Sequence, residues 1–221
     1  MSVEILSTPL YHVVDAARLL QMPPSTLRYW VEGDRERPPV LRDESTGDST
    51  LTWGEFVEAG LLHEYRIRDV SLQHLRVVIS ILRDEFGVPY PLAHFRPFVA
   101  ANRRLVLTAQ QRAGLPTEDA IVWQIEDGQL VLRDRVALYL ERVDFEEADG
   151  PALRIYPWGK DTPILIDPKR SSGSPTIRGV RTEALAELVE AGEPIDQVVE
   201  DFGLDPQELR AALAYEWQTA A

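Results

Sequence analysis

Four residues in one short run have the side chains that grip nucleic acid: Ser25, Thr26, Arg28 and Tyr29, within "PPSTLRYWV". Guanidinium, hydroxyl and phenol groups bond phosphate oxygens and base edges. On a helix starting near Pro24, Leu27 and Trp30 lie three apart and share the inward face, leaving these four on the other sides. The first turn also directs free N–H groups and the positive end of the helix dipole outward, toward an anion. Arg35, Arg37 and Arg42 follow closely and add cations within reach of a neighbouring phosphate strand. The same pattern also suits a helix that only packs into its own core, so the elements around it matter.

Those elements are readable. "VVDAARLLQM" has apolar residues at helical spacing and predicts a helix over about 13–20. Proline at the first turn predicts a second helix from Pro24 to about Val31, and the two make a helix-turn-helix. Val40–Arg42 and Thr50–Thr52 read as the strands of a β-hairpin wing around a polar tip. Trp53, Phe56, Val57, Leu61 and Leu62 predict a third helix. Leu72, Leu75, Val78, Ile79 and Leu82 predict a fourth, capped by Asp69 or Ser71 and stopped at Gly87.

Beyond Gly87 the pattern changes. "VPYPLAHF" and the residues after it read as a connector that includes Arg96, Arg103 and Arg104. "AIVWQIEDGQLVL" predicts a hairpin turning at Asp127-Gly128. "VALYLERVDF" reads as a helix, "LRIYPW" and "TPILIDP" as short strands. Thr182 is placed as the cap of a helix over 183–191. Two more helices follow, one over about 195–201 and one capped by Asp205, with Pro206 first and Glu208 reciprocating. The fold class is α+β, in three parts: a winged helix-turn-helix over 1–87, a β-containing middle over 88–160, and a helical domain over 161–221.

Charge narrows the function. The net charge is -13, unevenly spread: residues 1–110 carry a net of -2 and residues 111–221 a net of -11. Phosphate binding rests on cations, so DNA contact belongs to the first half. Within the second half, residues 154–181 hold six basic residues against two acidic. The acidic remainder suits a solvated face or a basic protein partner. There are no cysteines, no basic-apolar leader and no apolar run of spanning length, which together predict a soluble cytoplasmic protein without membrane association. His12, His63, His74 and His94 lack metal-ligand spacing, and no nucleophile with its base is in view. No cofactor, metal or enzymatic activity is expected. Trp123 and Trp158 read either as core or as the lining of a small-molecule pocket.

Two resemblances sharpen this picture. "YHVVDAARLLQMPPSTLRYWV" resembles the opening of MerR-type winged helix-turn-helix regulators over roughly residues 10–85. It departs from them in the acidic Asp43, Glu44 and Asp48 and in lacking a long dimerising coiled coil. Residues 164–217 resemble a small domain found in antitoxins, in the Asp167-Pro168 after a strand, Gly173-x-Pro-x-Ile-x-Gly-x-Arg181 and the closing helix pair. Together these resemble VapB antitoxins. That resemblance implies promoter DNA and a PIN-domain ribonuclease toxin as partners, in a homodimer or a hetero-oligomer with the toxin. A toxin site rich in carboxylates would accept an arginine. The candidates are Arg96, Arg103, Arg104, Arg154, Arg170, Arg178 and Arg181, with Lys169 beside them. The other reading is a one-component regulator that senses a small molecule through the middle region.

Overall fold

The computed structural model describes residues 5–67, 70–94, 98, 102–124, 129–132, 134–147 and 150–219. The chain forms two compact units. Unit 1 comprises 1–140 and 144–152; unit 2 comprises 141–143 and 153–221. The expected middle region is thus shared between the two units.

Unit 1 opens with strand β1 (Pro9–His12), which runs directly into helix α1 (Val13–Leu19). Helix α2 (Pro24–Glu32) follows a turn in which Gln21 adopts φ 52°. Both helices fall where the periodicity placed them. Val13, Ala16, Ala17 and Leu19 are buried on α1; Leu27, Trp30 and Val31 are buried on α2. Strand β2 (Thr50–Thr52) leads into α3 (Trp53–Arg66). A reciprocal cap starts α3: Glu55 N–H donates to the Thr52 hydroxyl at 3.2 Å, and Thr52 N–H donates to Glu55 Oε2 at 2.7 Å. Helix α4 (Leu72–Phe86) ends at Gly87, whose φ of 63° is left-handed, as its glycine stop predicted. The Asp69 cap lies outside the described residues.

The wing differs from its expectation. Residues 40–49 form an irregular loop, and β2 pairs antiparallel with β1, with Tyr11 opposite Leu51 and His12 opposite Thr50. The N–H groups of Val40 and Leu41 both donate to the Trp30 carbonyl, at 2.8 and 3.1 Å. Their donors therefore serve the end of α2, and their buried side chains enter the core. A hairpin with 50–52 would require the same N–H groups to face the other way.

The connector also holds more order than expected. A short 3-10 turn at Pro91–Ala93 precedes helix α5 (Arg103–Arg112), which packs on α4. The expected hairpin forms from β3 (Val122–Gln124) and β4 (Leu130–Leu132), with Val122 opposite Leu132. Its Asp127-Gly128 turn is outside the described residues. "VALYLERVDF" splits into helix α6 (Asp134–Glu141) and strand β5 (Val143–Phe145). Unit 1 is closed by distant parts of its own sequence: the Trp53 indole N–H donates to the Ala152 carbonyl at 2.8 Å, and the Tyr139 hydroxyl to the Val57 carbonyl at 2.5 Å.

The chain passes between units within β5 and β6 (Ala152–Ile155). The five-stranded sheet runs in chain order through β7 (Leu165–Ile166), β8 (Pro175–Ile177) and β9 (Val180–Arg181). Three helices complete unit 2: α7 (Thr182–Glu190), α8 (Ile195–Phe202) and α9 (Pro206–Thr219). Arg181, not Thr182, is the cap residue of α7. The Thr182 hydroxyl instead lies fully buried between the Pro175 carbonyl and the Glu216 carboxyl. The α9 start follows the expected pattern: Asp205 N–H donates to Glu208 Oε2 at 2.8 Å and Gln207 N–H to Asp205 Oδ1 at 2.9 Å. Ile164, Ile177, Leu185, Val198, Leu209, Leu213 and Tyr215 form the core. Trp158 packs against it, edge-on to Tyr215 with ring centroids 5.3 Å apart, so this tryptophan is a packing residue. The Trp123 side chain lies outside the described residues. No helix among the described residues is long and apolar enough to cross a membrane.

Candidate nucleic-acid interface

The outward face of α2 is the one the spacing predicted. Leu27 and Trp30 are buried, Ser25 and Arg28 are exposed, and Thr26 and Tyr29 are half-buried. Pro24 stands in the first turn, and Pro23 precedes it in an extended conformation, so the helix begins where a missing N–H costs nothing. Beyond its end, Gly33 has φ 71°, and a Cβ there would collide with the backbone at Arg37 and Pro38. That close approach folds the chain back into a tight turn. Asp34 Oδ1 accepts from the N–H groups of Glu36 and Arg37, each at 2.8 Å. Arg35 and Arg37 are exposed on this turn. The neighbouring Tyr29 phenol raises the Arg37 pKa further.

Arg42 is the exception among the seven residues expected on DNA. Its guanidinium is turned inward, with Nε 2.5 Å from Glu55 Oε1. Its other donors reach the Thr46 hydroxyl at 2.8 Å and the carbonyls of Asp48 and Thr50, each at 2.6 Å. Its donors are used to shape the loop, which leaves none for a phosphate. The loop has a second anchor that the sequence did not reveal. Arg83, from α4, donates to the Leu41 carbonyl at 2.8 Å, the Pro89 carbonyl at 2.9 Å and Asp43 at 2.9 Å. The acidic residues that set this loop apart are therefore partly structural. Asp43 pairs with Arg83, and Asp48 accepts from Thr50 N–H at 2.8 Å.

Beneath the loop lies Glu58, fully buried. Leu92 N–H donates to its Oε1 at 2.8 Å, while Oε2 is 3.7 Å from Arg83 and makes no hydrogen bond. Burial pushes this carboxyl up to about 8, against the opposing pull of Arg83.

Two further cations stand beside α2 without any signal in the local sequence. Arg66 ends α3 and donates to the Val70 carbonyl; Arg76 lies in α4 and donates to the Pro38 carbonyl at 3.0 Å. With Tyr29, Arg37, Ser71, Leu72 and Gln73 they line a groove of about 620 Å³.

The arginines expected on a protein partner fall in both units. Arg96 lies outside the described residues. Arg103 donates to the Phe98 carbonyl at 3.3 Å and the Leu130 carbonyl at 2.9 Å, so it braces unit 1; Arg104 is exposed on α5. In unit 2, Arg154 is half-buried in β6, Arg170 is 3.7 Å from Asp167, and Lys169 is exposed. Arg178 is 2.9 Å from Glu208, and Arg181 is 3.9 Å from Glu183.

Comparison with known proteins adds the following. Residues 164–215 match the family described as "Protein of unknown function (DUF433)". Over nearly its whole length the chain resembles the "Uncharacterized protein Rv2308" of Mycobacterium tuberculosis, 33% identical over 96% of this chain and 91% of that one. It is 27% identical to the "Putative antitoxin VapB45" of the same organism, over 93% of this chain and 92% of that one. The X-ray crystal structure of Rv2018 from Mycobacterium tuberculosis superposes with a TM-score of 0.74 at 27% identity, covering 93% of this chain and 98% of that one.

Proposed function

This chain belongs to the family of the Mycobacterium tuberculosis protein Rv2308, and we propose that it is an antitoxin that also represses its own promoter. Unit 1 is the DNA-binding part, a MerR-like helix-turn-helix in which Ser25, Thr26, Arg28 and Tyr29 meet the duplex. Its protein partner is a PIN-domain ribonuclease of the VapC type, acting in the cytoplasm. Neutralisation is masking: the antitoxin covers a carboxylate-rich active site and does no chemistry itself. A homodimer, or a hetero-oligomer with toxin, would present two α2 helices to a symmetric operator.

The observation that carries this reading is the likeness to the "Putative antitoxin VapB45" along nearly the whole of both chains. The outward polar face of α2 supports the DNA half. The acidic surface of the second half makes a basic protein a better partner there than nucleic acid.

The test is co-expression with a VapC-type PIN-domain ribonuclease from the same genome. The expected result is relief of growth arrest and a complex that survives gel filtration. Persistent arrest with both proteins soluble would refute the antitoxin reading. Retardation of the promoter fragment checks the DNA half separately.

A further inference from the structure

We propose that the groove beside the end of α2 is an oxyanion site built to hold a phosphate group. Three independent observations converge on it. First, among the described residues its lining carries three guanidinium groups, Arg37, Arg66 and Arg76, with two hydroxyls and an amide from Tyr29, Ser71 and Gln73, and no carboxylate. Second, Arg76 Nε is shut off from solvent and has no hydrogen-bond partner. A charged donor without an acceptor is costly, and an oxyanion held by the outer Nη groups of the same guanidinium would offset that cost. Third, α4 starts here. It is fifteen residues long, Ser71 stands at its cap position, and the Ser71 hydroxyl makes no capping bond. The first-turn N–H groups and the positive end of the dipole thus add to the arginines.

The charges of Asp34 and Glu36 also act on Arg37 and favour its charged form. Arg66 and Arg76 are each held by one backbone carbonyl, which orients each guanidinium beside the groove. Tyr29 belongs to both the groove and the outward side of α2. A phosphate held here therefore sits next to the helix expected to read DNA.

The groove defines phosphate chemistry, and two sources can supply it: a phosphodiester of the duplex backbone or a free phosphorylated compound. The first source rests on the DNA-binding reading above; the groove itself does not. The experiment uses the full chain and two probes. Inorganic phosphate is titrated against chloride at constant ionic strength, with the arginine Nε–H and backbone amide resonances followed by NMR. A 20-base-pair duplex is then bound over a range of salt, for the wild type, Arg37→Gln, Arg76→Gln and Arg76→Lys. Arg37 is exposed, so its variant tests the groove even where an Arg76 variant loosens the fold.

The expected result is a saturable shift at Arg76 Nε–H and the Gln73 amide, abolished by Arg76→Gln and not rescued by Arg76→Lys. If the duplex is the source, the Arg37 and Arg76 variants also each lower the salt slope by about 1. Unchanged duplex binding with an intact phosphate shift assigns the site to a free phosphorylated compound. No saturable shift in the wild type, with unchanged salt slopes in the variants, overturns the proposal. A wild type that binds no duplex refutes the DNA reading alone, and the phosphate titration then decides the groove.

Discussion

Arg42 and the buried Glu55 form a bidentate pair, with Nε 2.5 Å from Oε1 and an Nη 3.2 Å from Oε2. The same carboxylate also closes the cap of α3 by accepting from Thr52 N–H. One side chain thus ties the loop after α2 to the start of α3.

Removing one partner strands a buried charge. Arg42→Met should destabilise unit 1 by about 3–5 kcal/mol, since Glu55 is then left uncompensated. The double variant Arg42→Met/Glu55→Met should recover much of that loss. Urea unfolding of the two single variants and the double variant checks this. Equal losses in the Arg42 single and the double variant would contradict it.

Glu58 makes stability depend on pH with an unusual sign. Its unfolded value is near ~4.3, and burial pushes the folded value up to about 8. Between the two, the folded state holds a proton that the unfolded state has lost. Stability from this group is therefore complete below the unfolded pKa and falls as pH rises through the folded one. Glu58→Gln keeps an acceptor for Leu92 N–H and should flatten that decline. Urea midpoints for both proteins from pH 5 to 9 give the comparison; parallel curves would rule the mechanism out.

Arg28 is exposed on α2, whereas Arg42 is consumed within the fold. Arg28→Ala should leave the unfolding midpoint unchanged, weaken promoter binding and lower the salt slope by about 1. Fluorescence anisotropy against salt measures this. An unaltered slope would remove Arg28 from the interface.

In unit 2, the Thr182 hydroxyl is fully buried against Glu216, itself buried. Thr182→Val keeps the shape and removes the hydroxyl, which should cost about 1–3 kcal/mol. Thermal unfolding of the wild type and the variant measures the loss; equal midpoints would contradict it.

The helices of unit 1 were legible because period, proline and cap are local signals. Thr52 and Glu55 are three residues apart, and Gly87 directly follows Phe86. The wing was misplaced because β2 has its partner forty residues upstream in β1, and nothing local to 40–52 encodes that pairing. Helix α5 was missed because its buried stripe is thin: Val106, Ala109 and a polar Gln110. Gln110 earns its place by accepting from the N–H groups of Ile121 and Val122, at 3.0 and 3.2 Å, which no hydrophobic pattern records. The outward residues of α2 were found by spacing. Arg66 and Arg76 were not, because they come from two helices and meet only in three dimensions.

The Trp53–Ala152 bond sets an order of events during synthesis. These residues are 99 positions apart, and the buried indole N–H has its acceptor only near the end of unit 1. At about 5–20 residues per second, on the order of 5–20 s pass between their emergence from the ribosome. Through that interval α1–α4 can assemble, but the unit stays unlatched, with Trp53 waiting for its final carbonyl. A nascent chain arrested before residue 152 should be a protease-sensitive form of the same helices, and release of the last strand should be the step that shuts it.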